Sequence, residues 1–264
     1  MSFQPVLPLG GYAGWRFLSR TAERQKDLVA AAPVTQREVA HFRANISKVK
    51  TIDDLMEDRT SLKVALGAFG LDSDLPNKAF IRKVLESDRN DDRSLVNRLS
   101  DKRYRRLADA LQMDRGSEQI GQPGFGDRFA SLYITREFER RVGEADETLR
   151  LAMNAQRELA GMAGRSSSDK TLWFEVLGNP PLRKFFETAF GFSSAYAKLP
   201  VDRQVEEFMT KAEKVLGTTS FRGFREDAGS EKLIRTFLVR SQLAEGGGAN
   251  TSRFANALTL LSGG

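Results

Sequence analysis

Cysteine is absent from the 264 residues, and histidine occurs once, at position 41. The first absence excludes disulfide scaffolds, thiolate metal sites and cysteine nucleophiles. A cluster of imidazole ligands needs more histidines than this chain has. A Ser-His-Asp triad would have to use His41, which lies in a helical pattern far from any Gly-x-Ser-x-Gly elbow. We therefore interpret His41 as a structural residue.

Long apolar runs and nucleotide-binding glycine loops are also missing. No stretch reaches the roughly 18 apolar residues that a membrane span requires. The start of the sequence lacks the pattern of a secretory signal, and signal-independent export is left open. The glycines of segment 121–126 follow no strand and precede no P-loop lysine, so we interpret them as a linker. The sequence predicts no enzyme, no cofactor and no metal site, because no catalytic constellation is present.

Helical periodicity is what the chain does have. Apolar residues recur at three- and four-residue spacings, and no segment alternates as a strand would. Thr51 precedes Asp54 at the spacing of a capping box, and Thr35 precedes Glu38 in the same way, so both threonines are predicted to begin helices. The chain is therefore predicted to be all-α.

A repeated tetrapeptide indicates an internal duplication. Ala68-Phe69-Gly70-Leu71 recurs as Ala189-Phe190-Gly191-Phe192, and in both places a short helical run ends at the glycine. Each glycine is predicted to take the left-handed conformation that closes a helix. Arg59-Thr60 occupies the place that Pro180-Pro181 holds in the second copy, which fits a helix start at both positions.

These signals give a domain plan with four parts. Residues 1–14 are predicted to be a mobile arm, 15–113 a first helical unit, 114–126 a linker, and 127–264 a long helix followed by a second unit, which could pack as one domain. The long helix is predicted from Asp127 to Met162. The expected architecture is thus an array of short helices in two related units, joined by this long central helix. Near the end of the sequence, we expect a hinge at 246–248 and a short helix at 251–261.

A run of basic residues is the candidate binding surface. The net charge is +6 and the isoelectric point is about 9.6, so attraction to a polyanion is physically reasonable. Tyr104 lies within the run and could stack on a base. Asp101 and Asp109 flank it, however, and favour a solvated helix face with ion pairs. The candidate polyanion contacts are Arg98, Lys102, Arg103, Arg105 and Arg106.

Several segments carry a resemblance to a known family. They are residues 36–43, 50–55, 68–71, 79–88 and 99–104. Together they resemble an alphaproteobacterial domain of unknown function, whose members often carry the domain more than once and are often found with flagellar genes. The resemblance is specific over residues 33–112 and weaker over 150–217. It implies an all-helical array in a flagellar context, and it makes the Lys-Arg-Tyr stretch a feature of the family's fold.

The sequence thus leads to two functional hypotheses. The first is a non-enzymatic structural or assembly protein of the bacterial flagellum, which contacts protein partners through helix faces and is either cytoplasmic or flagellum-associated. The alternative is a basic protein that binds nucleic acid or another polyanion.

Overall fold

The computed structural model describes residues 3–116, 118–225 and 227–246. Over these residues the protein is all-α, as predicted, with thirteen α-helices and no strand. The first residue of the hinge predicted at 246–248, Gly246, ends the last described helix, and the rest of the hinge and the predicted terminal helix lie outside the described residues. The helices are α1 (Gly11–Ala31), α2 (Pro33–Asn45), α3 (Ile52–Glu57), α4 (Arg59–Ala68), α5 (Lys78–Glu86), α6 (Leu95–Arg98), α7 (Lys102–Leu111), α8 (Phe125–Ala145), α9 (Glu147–Ala163), α10 (Asp169–Gly178), α11 (Pro180–Phe190), α12 (Val201–Leu216) and α13 (Asp227–Gly246).

The chain divides into two compact units. Among the described residues, unit 1 contains 3–6 and 19–145, and unit 2 contains 7–18 and those from 146 to 246. The division therefore falls between Ala145 and Asp146, while the predicted linker 114–126 lies inside unit 1, where Ile120 is buried. The predicted arm also differs from the structure, because α1 already begins at Gly11.

The predicted long helix 127–162 is two helices. Asp146 has an extended backbone conformation (φ −149°, ψ 98°), and its side chain accepts a hydrogen bond from the Leu149 amide at 2.9 Å. It is thus the N-cap of α9, a position that aspartate favours because its carboxylate satisfies a free amide of the first turn. The apolar periodicity runs through the break, which is why the pattern predicted a single helix.

The core of unit 1 is built around α4. This helix packs on α2, α3 and α8, and its residues from Val64 to Ala68 are all buried. Phe129 of α8 stacks on Phe42 of α2, with ring centroids 5.8 Å apart, and on Phe125 at 4.5 Å. The apolar faces of these short helices therefore share one core. This packing stabilises helices that would be only marginally stable in isolation.

The core of unit 2 is built around α11, which packs on α9, α10, α12 and α13. Its centre is aromatic. The indole of Trp173, on α10, contacts rings from α11, from α12 and from the 3₁₀ segment Phe221–Arg225. The same unit includes the first two turns of α1, since Glu231 of α13 accepts hydrogen bonds from Tyr12 and from the Trp15 indole at 2.8 and 3.1 Å.

The repeated tetrapeptide closes a helix in each unit, as predicted. Gly70 follows α4 with φ +69°, and Gly191 follows α11 with φ +70°, a region that L-residues with a Cβ rarely adopt. Both helices begin at the predicted positions, after the N-caps Asp58 and Asn179. Each helix packs on the helix before it and on the last helix of its unit. The duplication of an ancestral unit stays a prediction.

Candidate functional site

The predicted basic run lies on α7 in unit 1. Asp101 begins this helix, because its carboxylate accepts a hydrogen bond from the Arg103 amide at 3.0 Å. Leu107, Ala108 and Leu111 face the core, so the helix is amphipathic and holds its basic residues on the other side. The partners of those side chains determine whether their charges are available to a ligand.

Lys102 and Arg103 are engaged within the unit. The ammonium of Lys102 donates to the carbonyls of Asn97 and Leu99, at 2.9 and 2.8 Å, and thereby satisfies oxygens at the end of α6. The guanidinium of Arg103 forms an ion pair with Asp101 at 2.7 Å and donates to the carbonyl of Gly70. Arg103 therefore connects the start of α7 to the glycine that closes α4.

Arg105 belongs to a second ion-pair group. Its guanidinium contacts the Asp109 carboxylate at 2.9 Å and donates to the carbonyl of Arg89 at 2.8 Å. The side chain of Arg89 in turn contacts Asp109 at 3.3 Å and Asp114 at 2.8 Å. This group joins α7 to the loop before α6.

Arg98 and Arg106 are exposed, and Tyr104 is not a free stacking platform. The Tyr104 hydroxyl donates to Asp74 at 2.7 Å, and its ring packs edge-on against Phe80 at 5.2 Å. Burial, followed by this hydrogen bond, raises the pKa of Tyr104 above its ordinary value. Lys102, Arg103 and Arg105 thus help to hold unit 1 together, as does Tyr104.

The double substitution Arg103→Ala plus Arg105→Ala tests this structural role. We expect the free energy of unfolding to fall by about 2 kcal/mol, because several charge-assisted hydrogen bonds to partly buried partners are lost. Urea unfolding measures this loss. The matched control is Arg93→Ala plus Arg98→Ala, which removes equal charge from exposed positions and should cost less than about 1 kcal/mol. Unchanged stability of the first variant, with lost binding to DNA or RNA at low salt, would instead support a polyanion surface.

His41 lies beside the N-cap of α4. Its Nε2 atom is 2.9 Å from the Asp58 carboxylate, which also accepts hydrogen bonds from the Thr60 and Ser61 amides, at 3.1 and 3.0 Å. Burial acts to raise the pKa of Asp58, but hydrogen bonds from Ser61 and His41 outweigh it, so the pKa lies below its ordinary value. His41 therefore supports a helix start.

The sequence reasoning missed a buried charge cluster on α8. Glu137 and Arg141 are 8% and 3% exposed, and their side chains form an ion pair at 2.8 Å. Arg140 pairs with the same carboxylate at 2.7 Å. Burial acts to raise the pKa of Glu137, but the two arginines outweigh it and hold the pKa below its ordinary value. The four-residue spacing of Glu137 and Arg141 was visible in the sequence, whereas their burial was not.

One depression of about 180 Å³ lies at the start of α10 in unit 2. Arg165, Ser168, Asp169 and Arg222 contribute to its wall. Most polar groups there already have partners: Arg165 pairs with Glu175, and Asp169 accepts from the Phe221 amide at 3.3 Å. Within the described ranges, no cluster of acidic and histidine side chains could hold a metal ion, and no helix is long and apolar enough to cross a bilayer.

Fold and site together define an all-helical protein of two compact units whose distinctive charged residues are paired inside them. The chain belongs to a family described as "protein of unknown function (DUF1217)", whose model matches residues 68–227. The matched range includes the predicted linker and both copies of the tetrapeptide. It confirms that the chain belongs to a domain family of unknown function.

A crystal structure of an Agrobacterium tumefaciens protein, determined as a structural genomics target, is similar to this chain. The TM-score is 0.74 and the sequence identity is 24%, over 92% of this chain and 99% of the other. At this level of sequence identity, the similarity supports a common fold only. No curated protein matches the sequence.

Proposed function

We propose that this protein is a non-enzymatic structural or assembly component of the bacterial flagellum, which contacts its protein partners through helix faces. The flagellar context rests on the resemblance of residues 33–112 described above. The observation that carries the mode of action is a pair of exposed apolar side chains on α13. Val239 and Leu243 are 43% and 69% exposed, and they lie one turn apart on the same helix face.

The two faces of α13 differ in what they contact. The inner face, with Leu233, Ile234, Phe237 and Leu238, is buried in unit 2. The outer face exposes Val239 and Leu243. Burial of their apolar surface by a partner would stabilise the complex by about 25 cal/mol per Å². Exposed apolar side chains on one face of a helix can form part of a protein contact surface. This feature supports a protein partner more strongly than a polyanion.

The basic run gives less support to the alternative function. Lys102, Arg103 and Arg105 would have to leave their carboxylate and carbonyl partners to bind phosphates. That exchange would cost part of the stability of unit 1. A partner could instead cover the outer face of α13 while the contacts of its buried inner face stay intact. We therefore rank the flagellar assembly function first.

Gene deletion and point variants in a flagellated bacterium that encodes this chain test the proposal. We expect the deletion strain to lose swimming and to show defective flagella. A strain that carries Val239→Asp plus Leu243→Asp should show the same defect with normal amounts of the protein, because charges on this face would oppose a partner's apolar surface. Swimming distance in soft agar and electron microscopy of the flagella provide the measurements.

Val34→Asp is the matched control, since Val34 of α2 has the same 43% exposure as Val239. It should swim like the wild type. Normal flagella and normal swimming in the deletion strain would contradict the proposed function. A swimming double α13 variant would contradict only the assignment to this helix face.

A further inference from the structure

A short segment that precedes α1, residues 3–6, is bound to unit 1 through its backbone. From here on, the arm denotes these four residues and not the whole predicted arm 1–14. The guanidinium of Arg141, on α8, donates to the Phe3 carbonyl at 2.9 Å. The side-chain amide of Gln25, on α1, accepts from the Val6 amide at 2.7 Å and donates to the Val6 carbonyl at 3.3 Å. Pro5 is buried between these two anchor points.

The groups that hold the arm are themselves buried. Arg141 and Gln25 are 3% and 5% exposed. Arg141 also donates to Glu137 and to the Thr35 hydroxyl, at 2.8 and 2.9 Å, so its guanidinium is fixed in direction. Gln25 is fixed by a hydrogen bond to Thr21 at 2.8 Å. These preorganised donors and acceptors form a built site for main-chain groups, because they need little reordering when the segment binds.

The site recognises main-chain atoms and a proline. The arm contributes two carbonyls and one amide to it, while the Val6 side chain is 56% exposed. If the arm leaves, the Arg141 guanidinium and the Gln25 amide lose buried partners, which is costly in a poorly hydrated position. An arm of identical sequence replaces every one of these contacts.

We propose that the arm is exchangeable: the site of one copy of this protein binds residues 3–6 of a second copy, and this exchange links copies together. A second copy is the occupant that the chemistry favours, since it supplies the same carbonyls, the same amide and the same proline. Residues 8–10, which join the arm to α1, are exposed, so their path can change without uncovering buried side chains. This exchange of arms is independent of the proposed flagellar function.

Cross-linking in the natural cysteine-free background tests the exchange on the purified full chain. The Gln4 amide lies 3.4 Å from the Glu144 carboxylate, and both side chains are exposed. Gln4→Cys and Glu144→Cys therefore place one thiol on the arm and one beside its site, within reach of a short bis-maleimide. The two single variants carry tags of different size, are mixed at high concentration, and are then treated with the reagent.

We expect a cross-linked dimer that contains both tags, at least tenfold above the amount formed by Gln4→Cys mixed with Ser131→Cys. Ser131 is an exposed residue of the same helix, α8, and controls for random collision. The double variant Gln4→Cys plus Glu144→Cys should cross-link within one chain at low concentration, which verifies the bound arm. Internal cross-linking of the double variant, with no mixed dimer above the Ser131→Cys control at any concentration, would overturn the proposal.

Discussion

Replacing Trp173 with alanine is expected to lower the free energy of unfolding by about 3–5 kcal/mol, the range for a large side chain removed from a packed core. The indole is 1% exposed and contacts the rings of Phe221 at 4.7 Å and Phe186 at 5.0 Å. Its Nε1 atom donates to the Thr219 carbonyl at 3.0 Å. The substitution therefore leaves a cavity and an unpaired carbonyl.

Urea unfolding followed by circular dichroism measures this change. Leu199→Ala is the control, because Leu199 is 39% exposed in the same unit and its removal should cost less than about 1 kcal/mol. Trp173→Phe should lie between the two, since it keeps part of the ring contact and loses the hydrogen bond. A Trp173→Ala variant as stable as Leu199→Ala would contradict the aromatic centre described for unit 2.

Replacing Arg141 with methionine is expected to cost about 3–5 kcal/mol, because it leaves a buried carboxylate without one of its two cations. Methionine has nearly the length of arginine, so the effect reports charge and hydrogen bonds more than volume. The lost partners are Glu137, Thr35 and the Phe3 carbonyl. Thermal and urea unfolding measure the loss of stability.

Arg203→Met is the matched control for Arg141→Met. Arg203 forms a 2.9 Å ion pair with Glu206 on α12, but the two side chains are 62% and 55% exposed. Its loss should cost less than about 1 kcal/mol, as for other solvent-exposed pairs. Equal effects of the two substitutions would contradict the account of a buried cluster on α8.

The stability difference between wild type and Arg141→Met should shrink as the pH falls from 7 to 3. The folded pKa of Glu137 is below its unfolded value of about 4.5, so its ionised form contributes stability above that value and the contribution is lost as the pH falls. Removal of Arg141 raises the folded pKa of Glu137, so the stability that the ionised Glu137 contributes falls most at neutral pH. A difference that stays constant between pH 7 and pH 3 would contradict this role of Glu137.

The sequence predicted those helix ends that capping residues and closing glycines determine. Thr51 and Asp54 form the predicted capping box, and Gly70 and Gly191 close their helices. The prediction that Thr35 begins a helix was wrong, because Pro33 occupies the first turn of α2 and Ala32 is its N-cap. Thr35 is instead buried within α2, where its hydroxyl accepts from Arg141. Its spacing to Glu38 was correct for a capping box, but proline at the first turn is the stronger signal.

Features that depend on tertiary contacts were beyond the sequence. The break at Asp146 interrupts a continuous apolar pattern, so periodicity alone could not locate it. The roles of Arg103 and Arg141 depend on residues distant in the chain, Gly70 for the first and Phe3 for the second. A basic run and a buried ion cluster look alike in sequence, because composition does not show which charged side chains face a neighbour.

Quantifying this protein in isolated flagella tests the central proposal most directly. Hook–basal bodies and filaments would be purified from cells that express the tagged full chain, and the tag would be measured in each fraction. We expect the wild type to co-purify with flagellar structures in a fixed ratio to their subunits, and the variant with Val239→Asp plus Leu243→Asp to be depleted. Absence of the wild-type chain from every flagellar fraction and assembly intermediate would contradict the proposed function.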